Sequence, residues 1–141
     1  MKWVKQSIHY WCPDTKEHKF LGQNVTVAIL DTGISPHPDF KDRILSFRDF
    51  SSTTGSSEKV LFSFSHFSPL IDNSGHGTHV AGILAGSGLL SSGTYAGIAP
   101  FCNLIIGKVL DQNGNGSIKN VINGIQWIRD IYTQFHIRII N

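Results

Sequence analysis

The sequence predicts an α/β fold in which a parallel β-sheet has helices on both of its faces. Two observations support this: apolar, β-branched runs occur at three places in the 141-residue chain, and segments with helical spacing of apolar residues lie between them. Strands that are apolar on both sides are typical of parallel sheets, because helices cover both faces. The alternation of strands and helices then implies right-handed crossover connections.

The three predicted strands are short and strongly apolar. Residues 24–30, NVTVAIL, are stopped by the turn sequence DTG, which ends the strand. Residues 103–110, NLIIGKVL, form the second run, and residues 137–140, IRII, form the third. The first strand therefore delivers Asp31 at its carboxyl end.

The two predicted helices differ in character. In 117–132, Ser117 is suited to cap the N-terminus. Apolar residues at helical spacing form one stripe that should pack on the sheet, namely Ile118, Val121, Ile122, Ile125 and Ile128. In 76–86, HGTHVAGILAG, small residues four apart let a neighbouring backbone approach closely, as expected of a buried central helix.

Composition indicates one ordinary globular unit, since 40% of the residues are hydrophobic and 16% are charged. The net charge of +2 comes from scattered Lys and Arg, which gives no support to binding of nucleic acid or anionic membranes. The two cysteines form no CxxC pair, so no zinc site of that type is indicated. No apolar stretch approaches the roughly 20 residues of a membrane span, and the start of the chain lacks the apolar core of a signal peptide. We therefore expect a cytoplasmic protein, or one that has lost its leader.

Asp31 and His76 are the first candidates for chemistry. Asp31 stands at the carboxyl edge of the predicted sheet, where open α/β proteins place their ligand sites. By itself this position also suits a metal ligand, a ribose contact or a turn cap. His76 lies between two glycines in the first turn of a helix, so its imidazole is exposed to a cleft. The helix dipole disfavours the protonated imidazole there, and a buried carboxylate such as Asp31 would stabilise it.

The competing interpretation of this segment is a metal site. His76 and His79 are three residues apart and could share a third ligand, Asp72 or Asp31. Helical zinc sites usually pair histidines four apart with a neighbouring Glu, and GHGTH has neither feature. We therefore expect His79 to be a packed and hydrogen-bonded structural residue.

Several blocks of the sequence together resemble the subtilase family of serine proteases: VAILDTGISPHPDF, NSGHGTHVAGILAG, YAGIAP, KVLDQNGNGS and the terminal IIN. They occur in the family's order and cover residues 24–141, which leaves residues 1–23 as an N-terminal extension. The resemblance implies a subtilisin-like fold and a serine-type endopeptidase that acts on polypeptides without a catalytic cofactor. It also implies that Asp31 is the triad carboxylate and His76 the general base.

Two further sites follow from the resemblance. The residues Gly114, Asn115 and Gly116 are similar to a segment that pairs with the substrate backbone as an added strand, and they are equally typical of a simple Asn-Gly turn. Asp39 matches a carboxylate that binds a structural calcium ion in many subtilases. The loop after the predicted helix of His76 offers no Asn or Asp to complete a cage of about 6–8 oxygen ligands, so capping of a turn is the alternative.

The family's GTS-A-x-P block, which holds the nucleophilic serine, is absent from the sequence, and so is the later Asn of the oxyanion hole. We therefore interpret the chain as the N-terminal half of an incomplete catalytic domain, which is inactive alone and requires its C-terminal half. Two other functions stay open at this point. One is a degenerate subtilase that binds peptides without cleaving them, and the other is a metal-dependent hydrolase that uses His76 and His79.

Overall fold

The computed structural model describes residues 2–8, 10, 20–51, 60–61 and 72–141. In this part of the chain the sheet has five strands, which are β1 (Thr26–Asp31), β2 (Ile44–Asp49), β3 (Val60–Leu61), β4 (Asn103–Lys108) and β5 (Ile137–Ile140). The helices are α1 (Lys2–Ser7), α2 (His76–Ala85) and α3 (Ile118–Ile131), with short 3-10 turns at Pro38–Phe40 and Leu89–Ser91.

The strand order is β3-β2-β4-β1-β5. Strands β2, β4, β1 and β5 are parallel, and β3 pairs antiparallel with β2. The predicted parallel α/β fold is therefore confirmed, and the three predicted strands correspond to β1, β4 and β5. Strand β2 was not predicted, because its sequence ILSFRD mixes apolar and polar residues and only its two middle residues are buried. Asp31 ends β1 in register with Lys108 at the end of β4.

Alternate residues of the central strands face opposite sides of the sheet, as strand geometry requires. Val27 and Ile29 of β1 belong to the apolar cluster on the α2 side, whereas Ala28 belongs to the cluster on the α3 side. The α2-side cluster is completed by Ile34, Phe40, Phe47, Ala81, Ala85, Cys102, Leu104 and Ile106. Each large side chain that is fully buried in this way contributes about 1.5–3 kcal/mol to folding. Helices cover both faces, which explains why the strands lack polar alternation.

Helix α2 buries one face, made of Gly77, Ala81 and Ala85, while Ile83 is 39% exposed. The expected close approach of backbone is present at both ends of the helix. A Cβ on Gly97, in the YAGIAP block, would lie 2.8 Å from the carbonyl carbon of Leu84. Residues 97–99 donate their backbone N–H groups to helix-end carbonyls, those of Gly86, Ile83 and Leu84. The block therefore satisfies acceptors that a helix terminus would otherwise leave open.

Helix α3 begins after Ser117, whose side chain accepts a hydrogen bond from Asn120 N at 3.1 Å, so the predicted N-cap is confirmed. The predicted apolar stripe is wrong for most of its members. Of these, Ile118, Ile122 and Ile125 are 81%, 47% and 46% exposed, and the buried face consists of Gly124, Trp127, Ile128 and Ile131.

The buried face of α3 differs from the predicted one because a glycine lies in the middle of it. A Cβ at Gly124 would lie 3.0 Å from side-chain atoms of both Leu30 and Val109, so the helix backbone approaches the sheet closely there. Trp127 then fills the space beside that contact, with its ring 5.7 Å from the ring of Phe50. Hydrophobicity alone did not reveal this face, because Gly124 carries no apolar side chain.

The predicted N-terminal extension, residues 1–23, lies partly outside the described residues. Within the described part, Tyr10 Oη donates to the carbonyl of Ile98 at 2.6 Å, and the carbonyl of Leu21 accepts from Phe101 N at 2.9 Å. A boundary after residue 23 stays a prediction. Over the residues described, no helix is both long enough and apolar enough to cross a membrane.

Candidate active site

The carboxyl end of β1 places Asp31 beside the first residue of α2. The Asp31 side chain is only 10% exposed, and its Oδ1 lies 2.8 Å from Nδ1 of His76. The same oxygen accepts the backbone N–H of Thr32 at 2.7 Å. These contacts hold the carboxylate in one orientation, so the structure brings together the two residues that the sequence singled out.

His76 presents its ring outward, with 64% of the side chain exposed. The chain enters α2 through Gly75, whose φ of +84° lies in the left-handed region that glycine adopts without strain. Because a carboxylate only accepts hydrogen bonds, the contact with Asp31 places the ring proton on Nδ1 and leaves Nε2 as a proton acceptor.

The protonated form of His76 is favoured by its surroundings. The hydrogen bond to Asp31 raises the pKa of the imidazole most, the negative charge of Asp31 adds to this, and the charge of Asp72 raises it further. These effects outweigh the opposing desolvation. A site of this kind stabilises an imidazolium that forms when the ring takes up a proton.

The close fit of α2 against β1 depends on Gly77. A Cβ on this residue would overlap the carbonyl oxygen of Gly33 and lie 3.2 Å from Oδ1 of Asp31. Its backbone N–H donates to Oγ1 of Thr32 at 2.9 Å. The second glycine of GHGTH therefore allows the helix to start close enough for His76 to reach Asp31.

The sequence did not reveal the contacts that Asp72 and Lys108 make with Thr32. Asp72 was considered only as a metal ligand, but its carboxylate accepts hydrogen bonds from the first turn of α2 and from Thr32. Lys108 is buried, with 6% exposure, and its ammonium donates to the carbonyls of Thr32 and Leu110. Asp72 lies three residues before the N-cap Gly75, outside the usual capping position, and nothing local indicated the contacts of Lys108 either.

The residues Gly114, Asn115 and Gly116 are exposed, and Gly114 closes a turn that begins at Asp111. Gly114 has φ +78° and donates its N–H to the Asp111 carbonyl at 3.1 Å. Both backbone groups of Asn115 are engaged with Asp111: its N–H donates to Oδ1 at 2.9 Å and its carbonyl accepts from N at 2.7 Å. The turn geometry is therefore present at Asn113 and Gly114, and the backbone of Asn115 is engaged within the chain.

The carboxylate of Asp39, for which the sequence left a calcium ion and a turn cap as alternatives, lies at the other end of α2. Its carboxylate oxygens accept the backbone N–H groups of Gly88 at 3.0 Å and Leu90 at 3.4 Å, so they cap a loop. Calcium also needs several further oxygen ligands. The backbone carbonyl of Asp39 itself accepts a hydrogen bond from the guanidinium of Arg43.

The Arg43 side chain forms hydrogen bonds with three backbone carbonyl oxygens. Its guanidinium donates to the carbonyl of Cys102 at 2.9 Å, to that of Ala85 at 2.7 Å and to that of Asp39. Burial lowers the pKa of Arg43, against the opposing effect of nearby negative charge. The side chain therefore connects the end of α2 to the start of β4 and to the Asp39 turn.

The alternative metal site receives no geometric support within the described residues. His79 is exposed, so the expectation that it is packed is wrong. Nδ1 of His76 faces Asp31, and both oxygens of Asp72 accept hydrogen bonds from the protein. In the ranges that the structure describes, no group of three or more His, Cys, Asp or Glu is placed to hold a metal ion.

Comparison with known sequences and structures defines the class of protein. The profile of the subtilase family matches residues 22–141. The serine protease AprX of Bacillus subtilis is 46% identical over 106 residues, which are 75% of this chain and 21% of AprX. The major intracellular serine protease of the same species is 41% identical over 108 residues, which are 75% of this chain and 30% of that protein. The chain therefore spans about a fifth to a third of the length of these relatives.

Solved structures show the same architecture. The Clostridium perfringens CspB protease has a TM-score of 0.74 at 26% identity, covering 88% of this chain and 29% of that one. Sphericase has a TM-score of 0.69 at 29% identity, covering 84% of this chain and 36% of that one. The molecule is thus an α/β protein of subtilisin-like architecture, with an Asp-His pair at the edge of a parallel sheet. The chain belongs to the subtilase family.

Proposed function

We propose that this chain supplies the Asp and His of a Ser-His-Asp triad in a serine endopeptidase that cleaves polypeptides. The observation that carries the proposal is the 2.8 Å contact between Asp31 Oδ1 and His76 Nδ1, with the carboxylate buried and the imidazole exposed. Peptide binding alone requires no such pair, which argues against a degenerate, binding-only protein. In this proposal residues 24–141 form the N-terminal half of the catalytic domain.

The reaction assigned to the pair is proton transfer. Nε2 of His76 takes the proton from the hydroxyl of a serine as that oxygen attacks the peptide carbonyl, and the resulting imidazolium then protonates the leaving amine. Asp31 keeps the ring oriented and stabilises the imidazolium through its hydrogen bond. In this proposal the steps use no cofactor, nucleic acid or membrane, and they require a polypeptide substrate and the half of the domain that bears the serine.

The serine must come from a sequence block that the 141 residues do not contain. The nearest serine to His76 along the chain, Ser74, donates its backbone N–H to Asp72 at 3.2 Å in the turn before α2. A nucleophile needs oxyanion donors around it, typically at a strand-to-helix turn. We therefore assign the nucleophile to a further C-terminal half of the domain, which the protein needs for activity.

Substrate binding is assigned to the segment Gly114–Gly116, with pairing of the peptide backbone starting at Gly116. A Cβ on Gly116 would lie 2.5 Å from the carbonyl oxygen of Val109 and 2.7 Å from a methyl group of Leu110, so only glycine fits. Small residues at such an edge leave the backbone accessible to an added strand.

The test uses a protein in which the chain is joined to a serine-bearing half, either the complete gene product or a chimera that continues into the rest of the AprX catalytic domain. We expect His76→Ala and Asp31→Asn each to reduce kcat/KM for a peptide substrate by at least about a thousandfold without unfolding the protein. A fluorophosphonate probe should label the joined protein at one serine and leave the 141-residue chain unlabelled.

His79→Ala is the matched control, because it removes an exposed imidazole from the same helix. We expect it to change kcat/KM less than about threefold, since exposed side chains outside a site contribute little. Near-normal turnover of His76→Ala together with loss of turnover in His79→Ala would refute the assignment of the base. Peptide binding without hydrolysis in a folded, joined protein would favour the binding-only alternative.

A further inference from the structure

One carboxylate outside the proposed triad holds the start of α2. Asp72 accepts five hydrogen bonds: Oδ1 accepts from Thr32 Oγ1, Ser74 N and Gly75 N, and Oδ2 accepts from the backbone N and Oγ1 of Thr78. The distances range from 2.5 to 3.2 Å. Burial alone would raise the pKa of Asp72, but the hydrogen bonds from Thr78, Thr32 and Gly75 outweigh it and lower the pKa to about 2.

Asp72 replaces the ordinary cap of this helix. The N-cap position is occupied by Gly75, which has no side chain to accept the free N–H groups of the first turn. The N–H of Thr78 goes to Asp72 at 2.8 Å, and that of Gly77 goes to Oγ1 of Thr32 at 2.9 Å. The first turn of α2, which carries His76, is therefore capped by the carboxylate of Asp72 and the hydroxyl of Thr32.

Thr32 connects this cap to Asp31. Its hydroxyl donates to Asp72 at 2.8 Å and accepts from the first turn of α2, while its own N–H donates to Oδ1 of Asp31 at 2.7 Å. The oxygen that receives this N–H is the one that faces His76. A movement of Asp72 would therefore be passed through Thr32 to both members of the pair.

Resting on the proposed function, we infer that Asp72 is a positioning residue of the same site. It fixes the first turn of α2 against Thr32 and adds a second negative charge near the imidazolium of His76, and it acts through these residues without touching the substrate. Among the described residues, the charges that act on His76 are those of Asp31 at the end of β1 and of Asp72 before α2, and the Lys108 ammonium on β4 donates to the carbonyl of Thr32.

Two variants separate the two contributions of Asp72 in the joined, serine-bearing protein. Asp72→Asn removes the charge and disturbs the hydrogen bonds, whereas Thr32→Val removes the link and keeps the charge. We expect both to lower kcat by about ten- to a hundredfold with KM within about threefold, because misplacing a catalytic group affects turnover more than binding. Asp130→Asn, which neutralises an exposed carboxylate on α3, is the control and should leave both constants unchanged.

The pH dependence of kcat/KM separates a positioning role from a purely structural cap, because loss of such a cap would leave the acid limb unchanged. Asp72 raises the pKa of His76, so removal of its charge should shift the acid limb of kcat/KM toward lower pH in Asp72→Asn but not in Thr32→Val. An unchanged kcat and an unchanged acid limb in folded Asp72→Asn would overturn the inference. If Asp72→Asn does not fold, the kcat of Thr32→Val relative to that of the wild type tests the positioning role.

A second measurement separates this inference from the proposed function. In the 141-residue chain, an NMR titration of His76 should give a lower pKa in Asp72→Asn than in the wild type, and a still lower one in Asp31→Asn. If the joined wild-type protein neither hydrolyses peptides nor reacts with the probe, the proposed function fails. The NMR titration then remains as the test of whether Asp72 affects His76. A His76 pKa that is the same in Asp72→Asn and the wild type would then refute that link.

Discussion

At the scale of single residues, the geometry of the site depends on how closely two backbones approach. Gly77 lies against Gly33, and this contact allows His76 to reach Asp31. The neighbouring Gly82, on the same helix, has nothing within 4 Å of the position where a Cβ would lie. The helix therefore contains one glycine that the packing requires and one that it does not.

We predict opposite effects for alanine at these two positions. Gly77→Ala should destabilise the chain by about 1–3 kcal/mol, because overpacking forces the helix away from Gly33. In the joined protein it should also lower kcat by about a hundredfold, since His76 is displaced from Asp31. Gly82→Ala should stabilise the chain by about 0.5–1 kcal/mol, because alanine has the higher helix propensity.

Urea unfolding of both variants, with kcat measured on the joined forms, tests this prediction. Equal stability and equal turnover of Gly77→Ala and the wild type would show that α2 can shift without harm to the pair.

At the scale of elements, α2 is held at both ends by groups distant in sequence. Asp72 and Thr32 hold its N-terminus, and Arg43 and residues 97–99 hold its C-terminus. His76 is the first residue of this helix, so anything that anchors the far end also limits the movement of the imidazole. The guanidinium of Arg43 donates to the carbonyl of Asp39, the residue at which the family resemblance led us to expect a metal ion.

We predict that Arg43→Met lowers the free energy of unfolding of the chain by about 3 kcal/mol, because three carbonyl acceptors lose their donor. Lys41→Met, which removes an exposed cation two residues away, should change it by less than about 0.5 kcal/mol. Thermal melts with EDTA and with millimolar calcium should coincide for the wild-type chain. A calcium-dependent rise in the wild-type Tm that disappears in Asp39→Asn would restore the metal site at Asp39.

At the scale of the whole molecule, apolar side chains remain exposed on α3 and on the edge strand β5. Ile118, Ile122 and Ile125 on α3 are exposed, as are Ile139 and Ile140 on β5, which are 53% and 51% exposed. Among the described strands, β5 pairs only with β1, so its other edge is open. Exposed apolar patches and open strand edges both promote association.

We predict that the 141-residue chain self-associates as its concentration rises. The double variant Ile122→Lys/Ile125→Lys should reduce this association, because it places charge within the apolar surface of α3. Gln126→Lys adds a charge at an exposed polar position of the same helix and should have a smaller effect. Sedimentation velocity at several concentrations measures the difference, and a monodisperse wild-type monomer throughout would contradict the prediction.

Much of the fold and of the candidate site could be predicted because the signals are local. The strand of residues 26–31 is apolar on both faces and ends in a turn, which was sufficient to locate Asp31 at the sheet edge. The glycines around His76 indicated an exposed imidazole at a helix start, and the structure has it there. The buried face of α3 could not be predicted in the same way, because it is set by contact with Leu30 and Val109.

The sequence by itself determined the alternation of strands and helices, the subtilase resemblance and the identity of Asp31 and His76 as the candidate pair. The tertiary structure alone decided which distant groups support that pair. The hydroxyl of Thr32 and the carboxylate of Asp72 are 40 positions apart, and Arg43 and the carbonyl of Cys102 are 59 apart. Hydrophobic periodicity reports on short stretches of chain, whereas these hydrogen bonds exist only after the sheet has brought remote segments together.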